Sequence, residues 1–159
     1  MFNQLNYTGT KKENYDLVTK QLCALLEGEQ DMIANLSNAS ALLNQFLDQI
    51  NWVGFYLYKE EQLVLGPFQG LPACVRIPLG KGVCGTAAKD KQTIVVPDVH
   101  QFPGHIACDA ASQSEIVVPL IKDGQLIGVL DIDSPIKERF SEEDQAGLEH
   151  FTNALLQYI

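Results

Sequence analysis

At Asn51 the hydrophobic spacing of the chain switches from period 3.6 to period two, and that switch sets the fold class it can reach. Upstream, Tyr15, Val18, Leu22, Leu25 and Leu26 recur at helical spacing, with Gly28 as a stop. Ile33, Leu36, Leu43, Phe46, Leu47 and Ile50 repeat the period in a second amphipathic segment. Residues 51–58, rich in aromatic and β-branched side chains, read instead as a strand. Residues 62–68 are its expected hairpin partner and 73–77 a third strand. Gly80-Lys81-Gly82-Val83-Cys84-Gly85 leads into a short helix through Ala87 and Ala88, and 93–96 form a strand that Pro97 ends. Two further strands, 116–121 and 125–132, flank the hairpin signal Lys122-Asp123-Gly124. Ser141 followed by Asp144 is a capping-box-like start to a last helix with an apolar stripe of Leu148, Phe151, Leu155 and Tyr158. Helices, antiparallel strands, a hairpin and a closing helix define an α+β sandwich. With no repeat, low-complexity tract or linker, residues 1–159 are expected to form one domain.

Composition narrows the function. Apolar residues make up 46% and charged residues 19% of the chain, which suits a globular core and not a disordered segment. A net charge of −9 argues against nucleic-acid and anionic-membrane partners, both of which need Lys and Arg. Part of that acid, Glu60-Glu61 and Glu142-Glu143-Asp144, is expected to be solvated surface. The N-terminus lacks a basic, apolar signal segment, and no run approaches the ~20 apolar residues of a membrane span. The expectation is a soluble cytoplasmic protein. Four cysteines in a reducing compartment then point to redox or metal chemistry more than to a disulfide framework.

Cys23, beside Leu22 on the first helix, is expected to act as a small hydrophobe. Cys74, Cys84 and Cys108 all lie in or beside loops. Cys84 opens a helix, where free amides and the helix dipole favour thiolate. Cys108 sits in the long aperiodic segment 98–114, a length that marks functional or mobile loops. Three unrelated inert thiols is the plainer alternative. Asp131 and Asp133 flank Ile132, so a strand points both carboxylates to one face. Two buried aspartates are costly unless they serve a ligand, and crowding can leave one protonated as an acid. Glu115, at the head of the preceding strand, can reach the same pocket. Asp133-Ser134-Pro135 also reads as a simple turn. Trp52, Gly54 and Tyr56 share a face; they are either core or an aromatic wall, with the glycine leaving room for a small ligand. His100, His105 and Cys108 could supply mixed metal ligands, but the pattern lacks zinc-site spacing and no metal is expected. Gly80-x-Gly82-x-x-Gly85 lacks the βαβ context of a dinucleotide site and reads as a turn.

Gly66-Pro67-Phe68-Gln69-Gly70, Gly82-Val83-Cys84-Gly85, Val96-Pro97-Asp98-Val99-His100, Cys108-Asp109-Ala110 and Asp131-Ile132-Asp133-Ser134-Pro135, in this order, resemble the free methionine-(R)-sulfoxide reductases. The resemblance runs from Asn14-Tyr15 to the last helix. It implies a GAF-like fold, a six-stranded antiparallel sheet with helices on one face and an enclosed site on the other. It also implies Cys108 as nucleophile, Cys74 as resolving thiol and Cys84 as an additional redox thiol, although the helix-terminus reading favours Cys84 and leaves the order of attack open. Trp52, Tyr56, Glu115, Asp131 and Asp133 are implied to line the substrate pocket, with Glu115 or Asp133 donating a proton. No bound cofactor is implied. Reducing equivalents come from NADPH through thioredoxin, and the partners are free methionine-(R)-sulfoxide, thioredoxin and a second copy in a homodimer. The rival is a GAF module that binds a small ligand or senses redox state without turnover; such modules sit beside output domains, and the chain ends at its closing helix.

Overall fold

In the computed structural model, which describes residues 2–106 and 108–159, the expected switch of period becomes two helices followed by a sheet. The elements are α1 (Lys11–Leu26), α2 (Met32–Phe46), β1 (Trp52–Lys59), β2 (Gln62–Gly70), β3 (Arg76–Pro78), α3 (Gly82–Asp90), β4 (Ile94–Val96), β5 (Ser114–Lys122), β6 (Gln125–Ser134) and α4 (Glu142–Leu155), with one 3-10 turn at Val99–Gln101. Capping sets the helix starts. Thr10 and Glu13 form a reciprocal capping box on α1, Asp31 accepts from the Ala34 amide, and Ser141 with Asp144 closes the second box on α4.

The six strands pair antiparallel in the order β3-β2-β1-β6-β5-β4. Two turns hold strands together with residues at positive φ. Asp123 and Gly124 (φ 52° and 77°) link β5 to β6 as expected, whereas Glu60 and Glu61 (φ 52° and 66°) link β1 to β2. The second pair had only looked like solvated acid. The third strand is shorter than its expected span, because the carbonyl of Val75 bonds the Leu65 amide and that of Cys74 takes the Tyr56 hydroxyl instead of a regular ladder partner.

α1, α2 and α4 cover one face. Val53, Phe55, Leu57, Ile116, Val118, Leu120, Leu130 and Ile132 meet Leu22, Leu36, Leu43, Leu148 and Phe151 there in a continuous core. Burying each of these large side chains contributes roughly 1.5–3 kcal/mol. Asp144, expected in the solvent, is instead 1% exposed. It accepts from Tyr15 Oη (2.7 Å), Lys11 and Arg139; the Ser141 amide first, then Tyr15 and Lys11, hold its carboxyl below the ordinary range against the cost of burial. α3 departs from the expected one-sided helix layer. It packs on the opposite face, where Val83, Cys84, Ala87 and Ala88 join Trp52, Tyr56, Leu63, Ile77, Val117 and Val129 in a second, smaller core. No helix among the described residues is long and apolar enough to cross a membrane.

Candidate active site

The register of three neighbouring strands builds the site. Glu115 of β5 stands opposite Asp133 of β6, and Asp133 stands opposite Trp52 of β1. One row along, Asp131 faces Val117 on one side and Gly54 on the other. Residues directly opposite in an antiparallel pair share a face with Cβ atoms about 4.5–5.5 Å apart. Three carboxyls and an indole therefore crowd one end of the face that α3 half covers.

Aromatic stacking continues the wall onto β2. Trp52 lies 5.1 Å from Phe68 and 5.9 Å from Tyr56, both nearly parallel to it. Phe68 entered the sequence reading only within the Gly66–Gly70 motif and not as a wall residue; its place follows from the Gly54–Phe68 register. That register also corrects the reading of Gly54. A Cβ there would lie 2.3 Å from the Phe68 Cβ and 2.9 Å from the Pro67 carbonyl, so the glycine admits the neighbouring strand and not a ligand. Gly70, at φ 143°, has a similar task, since a Cβ would meet the Trp52 ring at 2.5 Å.

Two loops close over this wall. Tyr56 Oη donates to the Cys74 carbonyl (2.8 Å), and Trp52 Nε1 donates to the Leu71 carbonyl (3.1 Å). Each aromatic thus fixes the segment that carries Cys74. On the other side Asn51 Nδ2 donates to Asp109 (2.9 Å) and to Ser112 (3.1 Å), tying the Cys108 loop to the start of β1. Asn51 carries no signal in the sequence beyond opening the expected strand 51–58. Cys74 and Cys108, 34 residues apart, meet in a disulfide. The cavity beneath, with about 550 Å³ of empty space partly open to solvent, is lined by Trp52, Tyr56, Cys84, Glu115, Asp131, Asp133 and the two loops.

The electrostatics are unusual. Glu115 and Asp131 are 5% and 6% exposed, and the nearest pairing partner among the described residues is His105, 3.7 Å from Glu115. Burial, then the neighbouring Asp133, pushes the Glu115 carboxyl up to about 8. Burial and Glu115 push Asp131 well up, and burial and Asp131 do the same to Asp133. His105 is shifted down by burial, which leaves its ring neutral near pH 7. Asp131 Oδ1 is buried with no hydrogen-bond partner. An orphaned buried carboxyl oxygen costs free energy that a donor entering the cavity recovers.

Of the residues expected at the site, Trp52, Tyr56, Cys84, Cys108, Glu115, Asp131 and Asp133 line this cavity, whereas Cys74 joins it only through its bond to Cys108; Cys84 has a different character. It sits in the first turn of α3, yet it is 5% exposed, and burial, then Asp131 and Glu115, drives its thiol well above the usual range. The helix dipole loses to desolvation and three acids, so Cys84 is a neutral thiol and not the thiolate expected there. Cys23 is half-buried and unpaired. The weak metal constellation does not assemble: His100 pairs with Asp98 (3.1 Å) and Cys108 is spent in the disulfide.

Comparison with known proteins defines the class first. The GAF domain family matches residues 13–159, so the chain is a GAF-domain protein. Free methionine-R-sulfoxide reductase of Escherichia coli is 54% identical over 145 residues, spanning 91% of this chain and 88% of that one. A solved structure of the Staphylococcus aureus protein fRMsr, in complex with substrate, superposes with a TM-score of 0.88 at 58% identity over 97% of this chain and 99% of that one. Free methionine-R-sulfoxide reductase of Neisseria meningitidis, also with its substrate, gives 0.92 at 43% identity over 99% and 95%. Within the GAF class the chain belongs to the free methionine-R-sulfoxide reductase family.

Proposed function

We propose that residues 1–159 form one catalytic unit that reduces free L-methionine-(R)-sulfoxide to methionine, with Cys108 as nucleophile and Cys74 as resolving thiol. The observation that carries this reading is the Cys74–Cys108 disulfide, whose Cys108 lines a cavity walled by Trp52 and three carboxyls. A sulfoxide oxygen leaves only when protonated. Glu115, with its carboxyl pushed up to about 8, holds a proton at neutral pH and stands beside Asp133. The Cys108 thiolate attacks the substrate sulfur and the acid protonates the oxygen; the hydroxyl then passes to Cys108 Sγ as both bonds to the substrate sulfur break, so methionine departs and Cys108 is left as sulfenic acid. The Cys74 thiol condenses with it, releasing water and forming the disulfide. A dithiol protein of the thioredoxin kind, recharged from NADPH, restores both thiols by exchange. Cys84, neutral and buried, serves as a further redox thiol only if the loops open.

Trp52 packs the methyl group, and Asp131 with Asp133 receives the ammonium. Peptide-bound methionine sulfoxide lacks that ammonium and would leave the buried carboxyls unpartnered, so the pocket selects the free amino acid. Cytoplasmic location and a homodimer complete the proposal, the first resting on the need of a dithiol cycle for a reducing compartment and the second on family resemblance. An NADPH-coupled assay with thioredoxin and thioredoxin reductase tests it. Turnover is expected with the free R epimer and not with the S epimer or an N-acetylated, amidated peptide; equal rates on all three overturn the reading, and no turnover at all favours a binding or sensing module.

A further inference from the structure

The buried face of the cavity gathers a donor set of which the proposed reduction uses the two carboxyls and gives the thiol no direct step. Cys84 Sγ, a Glu115 carboxyl oxygen and an Asp131 carboxyl oxygen all lie within 4.8 Å of one another, and all three residues are buried. Tetrahedral zinc, with bonds of about 2.0 Å to oxygen and 2.3 Å to sulfur, places such atoms roughly 3.3–3.5 Å apart. The donor atoms must therefore draw together by at most about 1.5 Å. One thiol and two carboxyls leave the fourth position of a tetrahedral ion open toward the cavity.

Three further observations make this more than an acidic cluster. Asp131 is more than nine-tenths buried and its Oδ1 has no partner. No Lys or Arg side chain pairs with Glu115, Asp131 or Asp133 among the described residues; the sole contact of that kind is His105 at 3.7 Å. Cys84 keeps a free thiol while Cys74 and Cys108 are joined, so the set survives in the disulfide state. A thiophilic divalent cation supplies the positive charge that the surrounding protein withholds.

We propose that Cys84, Glu115 and Asp131 bind one divalent cation of the zinc class, and that this cation and the substrate ammonium exclude each other. Ligation needs the Cys84 thiol to release its proton to solvent as the metal–sulfur bond forms. The competition clause rests on the proposed function; the metal site does not. In effect the cation blocks the pocket reversibly, and reduction of free methionine-(R)-sulfoxide depends on how much of it is present.

Cadmium chloride, whose thiolate complexes absorb in the ultraviolet, is the probe. It is titrated into full-length Cys23→Ser protein holding the Cys74–Cys108 disulfide, so that Cys84 is the one remaining thiol. A charge-transfer band saturating at one equivalent, and displaced by zinc, is expected. Cys84→Ala in the same background should abolish the band. Asp131→Asn and Glu115→Gln, which preserve shape, should each weaken binding about 10–100-fold or more. Methionine-(R)-sulfoxide should raise the apparent dissociation constant for cadmium. Absence of a band, or a band that ignores both carboxyl substitutions, overturns the site. A normal band that substrate cannot displace overturns the competition. A protein that binds cadmium as described but turns over no sulfoxide retains the metal site and loses the proposed function.

Discussion

The two faces of the sheet use the same strands and reach opposite outcomes. On the helix-covered face Val53, Phe55, Ile116, Leu130 and Ile132 are fully buried in the apolar cluster formed with three helices. On the other face the alternate residues of those strands are Trp52, Glu115, Asp131 and Asp133, half roofed by α3 and two loops. The first face is complete without a ligand. The second buries acids with hardly a counter-charge and leaves Asp131 Oδ1 unpaired. One face therefore contributes stability and the other gives some of it up for a site that is satisfied only when occupied.

Substitutions on the two faces should separate these roles. The largest effect is expected on chemistry: Glu115→Gln keeps the volume but removes the proton donor, and should slow single-turnover methionine release by about 10²–10⁴-fold. A stopped-flow rate within threefold of the parent would remove Glu115 from the acid role. Next, Phe55→Ala empties a fully buried position on the helix face and should cost about 3–5 kcal/mol, read by urea unfolding. If the variant still folds at low temperature, its substrate specificity should be intact; altered epimer preference would mean that the two faces are not independent.

The smallest effect is on pH dependence. The Glu115 carboxyl is raised to about 8 in the fold from an ordinary 4.5, so the folded state holds the proton longer than the unfolded chain. Its contribution to stability is complete below about pH 4.5 and is lost as pH rises to about 8, with Asp131 and Asp133 acting in the same direction. Substrate-free protein should accordingly lose a few kcal/mol across that range, and Glu115→Gln should flatten the slope. A parent protein whose stability rises with pH over that window contradicts the acid assignment.

Much of this was legible from residue spacing. Period two alone put Asp131 and Asp133 on one face and Trp52 and Tyr56 on another strand's equivalent face, and the Ser141–Asp144 cap of α4 follows a local rule. The register between strands was not legible, because it is fixed by long-range pairing; with it went Phe68, Asn51 and the true task of Gly54. Cys84 was misread for a related reason. Helix position is local and visible in sequence, whereas desolvation by Asp131 and Glu115 comes from strands 31 or more residues away. The third strand shrank because Tyr56 claims the Cys74 carbonyl, a contact that no propensity encodes.

The claim that the acid-lined face is a catalytic site run by the Cys108 loop is tested most directly by one stoichiometric measurement. Fully reduced protein is mixed with free methionine-(R)-sulfoxide in the absence of reductant, quenched, and its released methionine and disulfides are mapped. The account predicts one equivalent of methionine with a Cys74–Cys108 disulfide, none from Cys108→Ser, and one equivalent from Cys74→Ser with the sulfenic acid held on Cys108. A full equivalent from Cys108→Ser, or its loss in Cys84→Ser alone, would contradict it.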